Sequence, residues 1–127
     1  MSRRERLKSL ENKIIAFNNA HQHLFNEHSR ILIALPGLDL GIDKNVNFSP
    51  EKEIKEAERF AEYLRTIIGA TVIVLSELTE IDHVLAYGPV DCLIDLYELH
   101  PLQREFLFAK LKFSDETHYY RYIELFI

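Results

Sequence analysis

The run ATVIVL, residues 70 to 75, limits the folds open to this chain more than any other feature. It is apolar or β-branched from end to end. Strand side chains alternate between two faces, so a run with no polar face needs cover on both. It is therefore expected as a central strand of a sheet clothed by helices. The segment before it supplies such a helix. Ser49 is a natural cap, Pro50 suits the first position, and Glu51 and Glu53 favour the positive end of the helix dipole. Ile54, Ala57, Phe60, Ala61, Leu64, Ile67 and Ile68 form an apolar face. Glu51, Glu56, Glu58, Arg59, Glu62 and Arg65 are expected on the other side, and Gly69 stops the helix.

The same alternation of helix and strand extends in both directions. Leu7, Leu10, Ile14, Phe17, His21 and Leu24 recur at helical spacing and form one narrow seam, expected to pack on the domain's own sheet, with pairing to another helix as the alternative. Ile31 to Leu35 read as a buried strand ended by Pro36-Gly37. Leu38, Leu40 and Ile42 alternate as a short edge strand would. Thr79 and Asp82 are spaced as a capping pair before Ile81, Val84 and Leu85, with Gly88 and Pro89 closing that helix. VDCLIDLYELHP, residues 90 to 101, reads as a further strand. Beyond it, FLFAKLKF and HYYRYIELFI flank SDET. Their aromatic and β-branched content favours a hairpin. Phe106, Ala109 and Phe113, and likewise Tyr119, Tyr122, Ile123 and Phe126, would also suit helices. The expected fold is α/β (α+β): a single mixed β-sheet covered by helices, in the order α-β-α-β-α-β-β-β. One domain, 1–127, is expected, with an N-terminal amphipathic helix over about 3–26 and a core over about 30–127.

Composition narrows the function classes. The apolar fraction of 47% suits a packed core, and the lone Cys92 permits neither an internal disulfide nor a Cys-based zinc cluster. No stretch approaches a membrane span, and MSRRERLKSLENK has no apolar segment behind its basic residues, so a cytoplasmic location is expected. The net charge of −5 works against nucleic-acid binding except through a local basic patch. Arg3, Arg4, Arg6 and Lys8 form the only dense one.

Most motif-like stretches have plainer readings. HQHLFNEH offers at most two ligands to one point, fewer than a zinc site needs. In DKNVNFSPE the positions that an EF-hand reserves for Gly and Glu hold Phe48 and Ile54. Neither a nucleotide-binding glycine loop nor a G-x-S-x-G elbow is present. VDCLIDLYELHP is different. On a regular strand Glu98 and His100 share a face and could hold a cation or serve as acid and base. Asp91 lies seven residues before Glu98, so the two acids converge only if the chain bends, and LIDLY has no Gly, Asn or Pro to bend it.

Residues 50–103, through PEKEIKEAERFAEYLRTIIGATVIVLSE and PVDCLIDLYELHPLQ, resemble the nuclease domains of polymorphic and contact-dependent inhibition toxins with a PD-(D/E)XK layout. The resemblance implies a metal-dependent nuclease-like domain, toxin-related or inactive. It implies that Asp91 and Glu98 are catalytic and hold a divalent ion, Mg or Zn, together with the helix acid Glu53 or Glu56. His100 stands where the family's lysine belongs and would act as a proton carrier or extra ligand. Nucleic acid would then be the partner. The competing expectation is a non-catalytic protein-binding module, such as an immunity or inhibitor protein. It would use an acidic surface, with Tyr119, Tyr120 and Tyr122 as aromatic contacts.

Overall fold

A computed structural model describes residues 2–36, 50–77, 80–112 and 121–127. The elements are α1 (Arg3–His21), β1 (Arg30–Ala34), α2 (Pro50–Ile67), β2 (Thr71–Leu75), α3 (Ile81–Ala86), β3 (Cys92–Asp95), α4 (Pro101–Leu111) and β4 (Tyr122–Glu124). One sheet runs in the order β2-β1-β3-β4, and all three strand pairings are parallel. The α/β class agrees with the sequence. The sheet is parallel among the described residues where a mixed one was expected.

The strand order explains the layers. Right-handed crossovers put α2 on one face of the sheet and α3 and α4 on the other, because the chain steps from β1 to one side and then returns to the opposite side. Contacts agree with that division. Phe17 of α1 meets Phe60 of α2 edge-on at 5.4 Å, and Lys110 of α4 pairs with Asp82 of α3 at 3.3 Å. The seam of α1 thus pairs with another helix, burying Leu10 and Phe17 completely while Leu7 stays partly exposed. A capping box of Ser2 and Glu5 starts it.

Three sequence expectations are corrected. Among the described residues ATVIVL forms an edge strand, and the central places go to β1 and β3, whose residues from Ile31 to Ala34 and from Cys92 to Asp95 are all buried. On β2, Thr71 is exposed and Ile73 and Val74 are only half-buried. The VDCLIDLYELHP strand ends at Asp95 instead of reaching His100. The expected hairpin is absent from its first half, where residues 101–111 form α4. His100 and Pro101 cause this: the imidazole Nδ1 accepts from the Leu102 amide at 3.1 Å, and Pro101 occupies the first helical position. The Ser49 and Thr79 caps, the strand at 38–42, Phe113 and Tyr119–Tyr120 lie outside the described residues.

Candidate functional site

In an open parallel sheet, the loops leaving two neighbouring strands in opposite directions leave a crevice at the carboxyl ends of those strands. Here those strands are β1, which leads to β2, and β3, which leads to β4. Gln103 of α4 bridges the two sides. Fully buried, it donates from Nε2 to the carbonyl of Leu35, just past β1, at 2.8 Å.

Asp95 ends β3 and shapes the turn after it. It is wholly buried. The amide of Tyr97 donates to its Oδ1 at 3.1 Å, the amide of Leu99 to Oδ1 and Oδ2 at 3.3 and 3.2 Å, and the Tyr122 hydroxyl to Oδ2 at 2.5 Å. An aspartate that accepts from amides two and four residues ahead folds the chain back on itself. Glu98 completes the turn in the left-handed region, at φ 57°. The turn after β3 is therefore built by Asp95, without the Gly, Asn or Pro that sequence reasoning sought. Burial pushes the Tyr122 hydroxyl above its ordinary pKa, and donation to Asp95 pushes it further. Tyr122, expected as a surface aromatic, instead docks β4 on Asp95.

A second buried acidic group sits beside this turn. Glu53 and Glu56, one helical turn apart in α2, are both buried. Arg6 of α1 serves both. Its Nε and Nη2 grip Glu56 at 3.0 and 2.6 Å, and Nη2 also reaches the two Glu53 oxygens at 3.4 and 3.2 Å. Tyr97, in the turn after β3, donates its hydroxyl to the Glu53 carbonyl at 2.9 Å, which ties the start of α2 to that turn. One guanidinium cannot neutralise two carboxylates. Burial raises the Glu53 pKa from 4.5 to about 7, a hydrogen bond with Glu56 adds to the rise, and Arg6 opposes it. Burial also raises the Tyr97 hydroxyl, with Glu56 and Glu53 adding to it.

Sequence reasoning put Glu53 among the candidates, with Glu56 as the alternative helix acid, but expected Glu56 on the solvent side of α2. The missing signal was Arg6, 50 residues from Glu56 along the chain.

The structure brings only some of the expected residues together. Glu53, Glu98 and His100 belong to the carboxyl end of the sheet. Asp91 lies before β3, at the amino end, where its Oδ2 accepts from the Arg30 amide at 2.8 Å. Four strand residues separate it from the turn, about 13 Å of extended chain. The expected ligand set of Asp91, Glu98 and Glu53 is therefore split. Among the described residues, no group of three or more His, Cys, Asp or Glu side chains is placed to hold a metal ion. Cys92 is buried, and that burial raises its thiol pKa, in keeping with inert packing. None of the described helices is long and apolar enough to cross a membrane.

Comparison with protein-family models, with curated proteins and with solved structures returns no match.

Proposed function

We propose that this α/β domain binds a small polar molecule over the carboxyl ends of β1 and β3 and performs acid–base chemistry on it, with Glu53 exchanging the proton. The observation that carries the reading is the buried Glu53–Glu56 pair sharing one arginine beside the crevice, with the Glu53 pKa raised to about 7. A carboxyl poised near neutrality can both give and take a proton at physiological pH. Perturbed acids of this kind concentrate at functional sites.

The surroundings favour a neutral or cationic ligand over a phosphate. A helix N-terminus beside a crevice is the usual anion seat. At the start of α2 that seat carries Glu51 and Glu53, and at the start of α4 the Leu102 amide is taken by His100. Both features work against nuclease chemistry, which must hold a phosphodiester, as does the net charge of −5. The carboxylate-based element of the nuclease-like reading is kept in this proposal, and its metal is not.

The test is an amide-resolved NMR titration of the full chain with nucleosides, amino sugars and polyamines, set beside ATP. Saturable shifts are expected at residues 96–103 for a neutral or cationic probe. Glu53→Gln should keep that binding and lose any turnover. Strong binding of ATP at the same amides would overturn the reading. So would an absence of shifts there for every probe, an outcome that would favour the non-catalytic partner-binding module.

A further inference from the structure

The amino end of the sheet holds a cavity of about 580 Å³ that the acid–base reading does not use. Its floor is apolar and built from core residues: Phe25, Val90 and Leu111 are buried in the fold and also line the cavity. Its rim is polar, with Asn26, His28, Asp91, Lys112 and Arg121. An apolar floor under a few convergent polar groups is the usual build of a small-molecule site.

The charges on the rim are not balanced. Asp91 accepts from the Arg30 amide at 2.8 Å and keeps its charge, so the rim sets two cations against one carboxylate. Elsewhere, Arg6, Arg59, Arg65, Arg104 and Lys110 pair with acids, while Arg4, Lys8, Lys13, Lys52 and Lys55 form no ion pair among the described residues and line neither this cavity nor the depression beside it. Lys112 and Arg121 form no ion pair among the described residues, although the chain carries 20 acids against 15 bases. What sets Lys112 and Arg121 apart is that both line one cavity with an apolar floor, an arrangement that favours a negative group there. The concavity also continues sideways. A neighbouring depression of about 500 Å³ shares Phe25, Asn26 and His28 and runs on to Ile67 and Ile68. Ile67 is 57% exposed, an apolar surface at the far end of that path.

We infer that this cavity binds an amphipathic anion: a carboxylate, sulfate or phosphate head between Lys112 and Arg121, and an apolar tail over Phe25 toward Ile67. Head and tail each fix one half of the specificity. A head alone lacks the floor, and the same tail on a cation meets Lys112 and Arg121 with the wrong sign.

The test uses monomeric octanoate, below its micelle concentration, titrated into the isotope-labelled full chain. Acetate and octyltrimethylammonium serve as the two controls. Saturable amide shifts are expected at Asn26, Ser29, Lys112 and Arg121 with octanoate, at least tenfold weaker binding with acetate, and none at these amides with the cation. Replacing both cations, by Lys112→Gly and Arg121→Gln, should weaken octanoate binding tenfold or more. Lys112 sits at φ 61°, where glycine is at ease, so that change removes the charge without endangering the fold. Equal binding of octyltrimethylammonium, an unchanged affinity in the double variant, or no saturable shift with octanoate would each overturn the inference. Anionic phosphatidylglycerol vesicles form a further arm. If they sediment the protein through the same two cations while monomeric octanoate shifts nothing, the occupant is a lipid surface and the enclosed-ligand assignment is wrong.

Discussion

Replacing Glu53 by glutamine should stabilise this protein at alkaline pH, although it removes a charged partner from Arg6. The folded-state pKa of Glu53 is about 7 against an ordinary 4.5, so the native state holds this proton more tightly than the unfolded chain does. The resulting stability is complete below about pH 4.5 and is lost as pH rises through about 7. A shift of that size corresponds to about 3 kcal/mol between the two limits, and screening by nearby solvent reduces the expected effect to about 1–3 kcal/mol. The amide of glutamine copies the protonated acid: its oxygen accepts from Arg6 and its NH2 donates to Glu56. Urea unfolding at about pH 5 and about pH 8 reads the difference, and dividing by a typical slope gives a midpoint about 1 M higher for the variant at the higher pH. At the lower pH the two proteins should nearly coincide. Comparing wild type with variant cancels the titration of every other group. A variant midpoint at or below wild type at the higher pH would refute the reasoning, because Glu53 would then be an ordinary ion-pair partner. Arg6→Met should have the opposite sign: with two buried carboxyls and no cation, stability at about pH 8 should fall by about 3–5 kcal/mol and recover on acidification.

Three other outcomes test the fold around the site. Asp95→Ala strands the amides of Tyr97 and Leu99 and the Tyr122 hydroxyl in a buried place, and should cost about 3–5 kcal/mol, read as a melting point lowered by roughly 10 °C or more. Gly88→Ala forces a side chain at φ 136° with its Cβ 3.3 Å from the Arg30 guanidinium, and should lose about 1–3 kcal/mol in denaturant unfolding. Cys92 should resist a thiol reagent such as Ellman's in the native protein and react fully in denaturant, since it is buried in β3 and its thiol pKa is raised.

What the sequence revealed divides by the range of the forces involved. Helix α2 was legible because its apolar period, its Pro50 start and its Gly69 stop are all local. Its charged face was misread for a long-range reason: Glu56 looks like any solvated glutamate until Arg6 arrives from another helix. The strand ATVIVL was correctly identified as β, but its place in the sheet depends on strand order, which no local pattern encodes. At the other end of β3, the apolar run LIDLYEL conceals a turn, because a single Asp95 carboxylate replaces the glycine or proline that usually announces one. The C-terminal error had a local remedy. Pro101 preceded by a side chain able to cap is a helix start, and the aromatic content of FLFAKLKF outweighed it.

The buried acids at this end of the sheet differ in what their oxygens are free to do. Both Asp95 oxygens are filled by donors from its own turn and from Tyr122. Removing or diverting that carboxylate would undo the turn after β3, so its job is architectural. Glu56 is held by two nitrogens of Arg6. Glu53 receives only what is left of that guanidinium, at longer distances; burial raises its pKa, the hydrogen bond with Glu56 adds to the rise, and Arg6 opposes it only in part. A metal ion at this end would have to compete with Arg6 for Glu53 and would find Asp91 on the far side of β3. A proton needs no such assembly, because the imbalance between two acids and one arginine already determines where it sits. The acid–base reading therefore needs only a path from the crevice to the buried Glu53 carboxyl, whereas the metal-centred one requires β3 to bend and an ion pair to break.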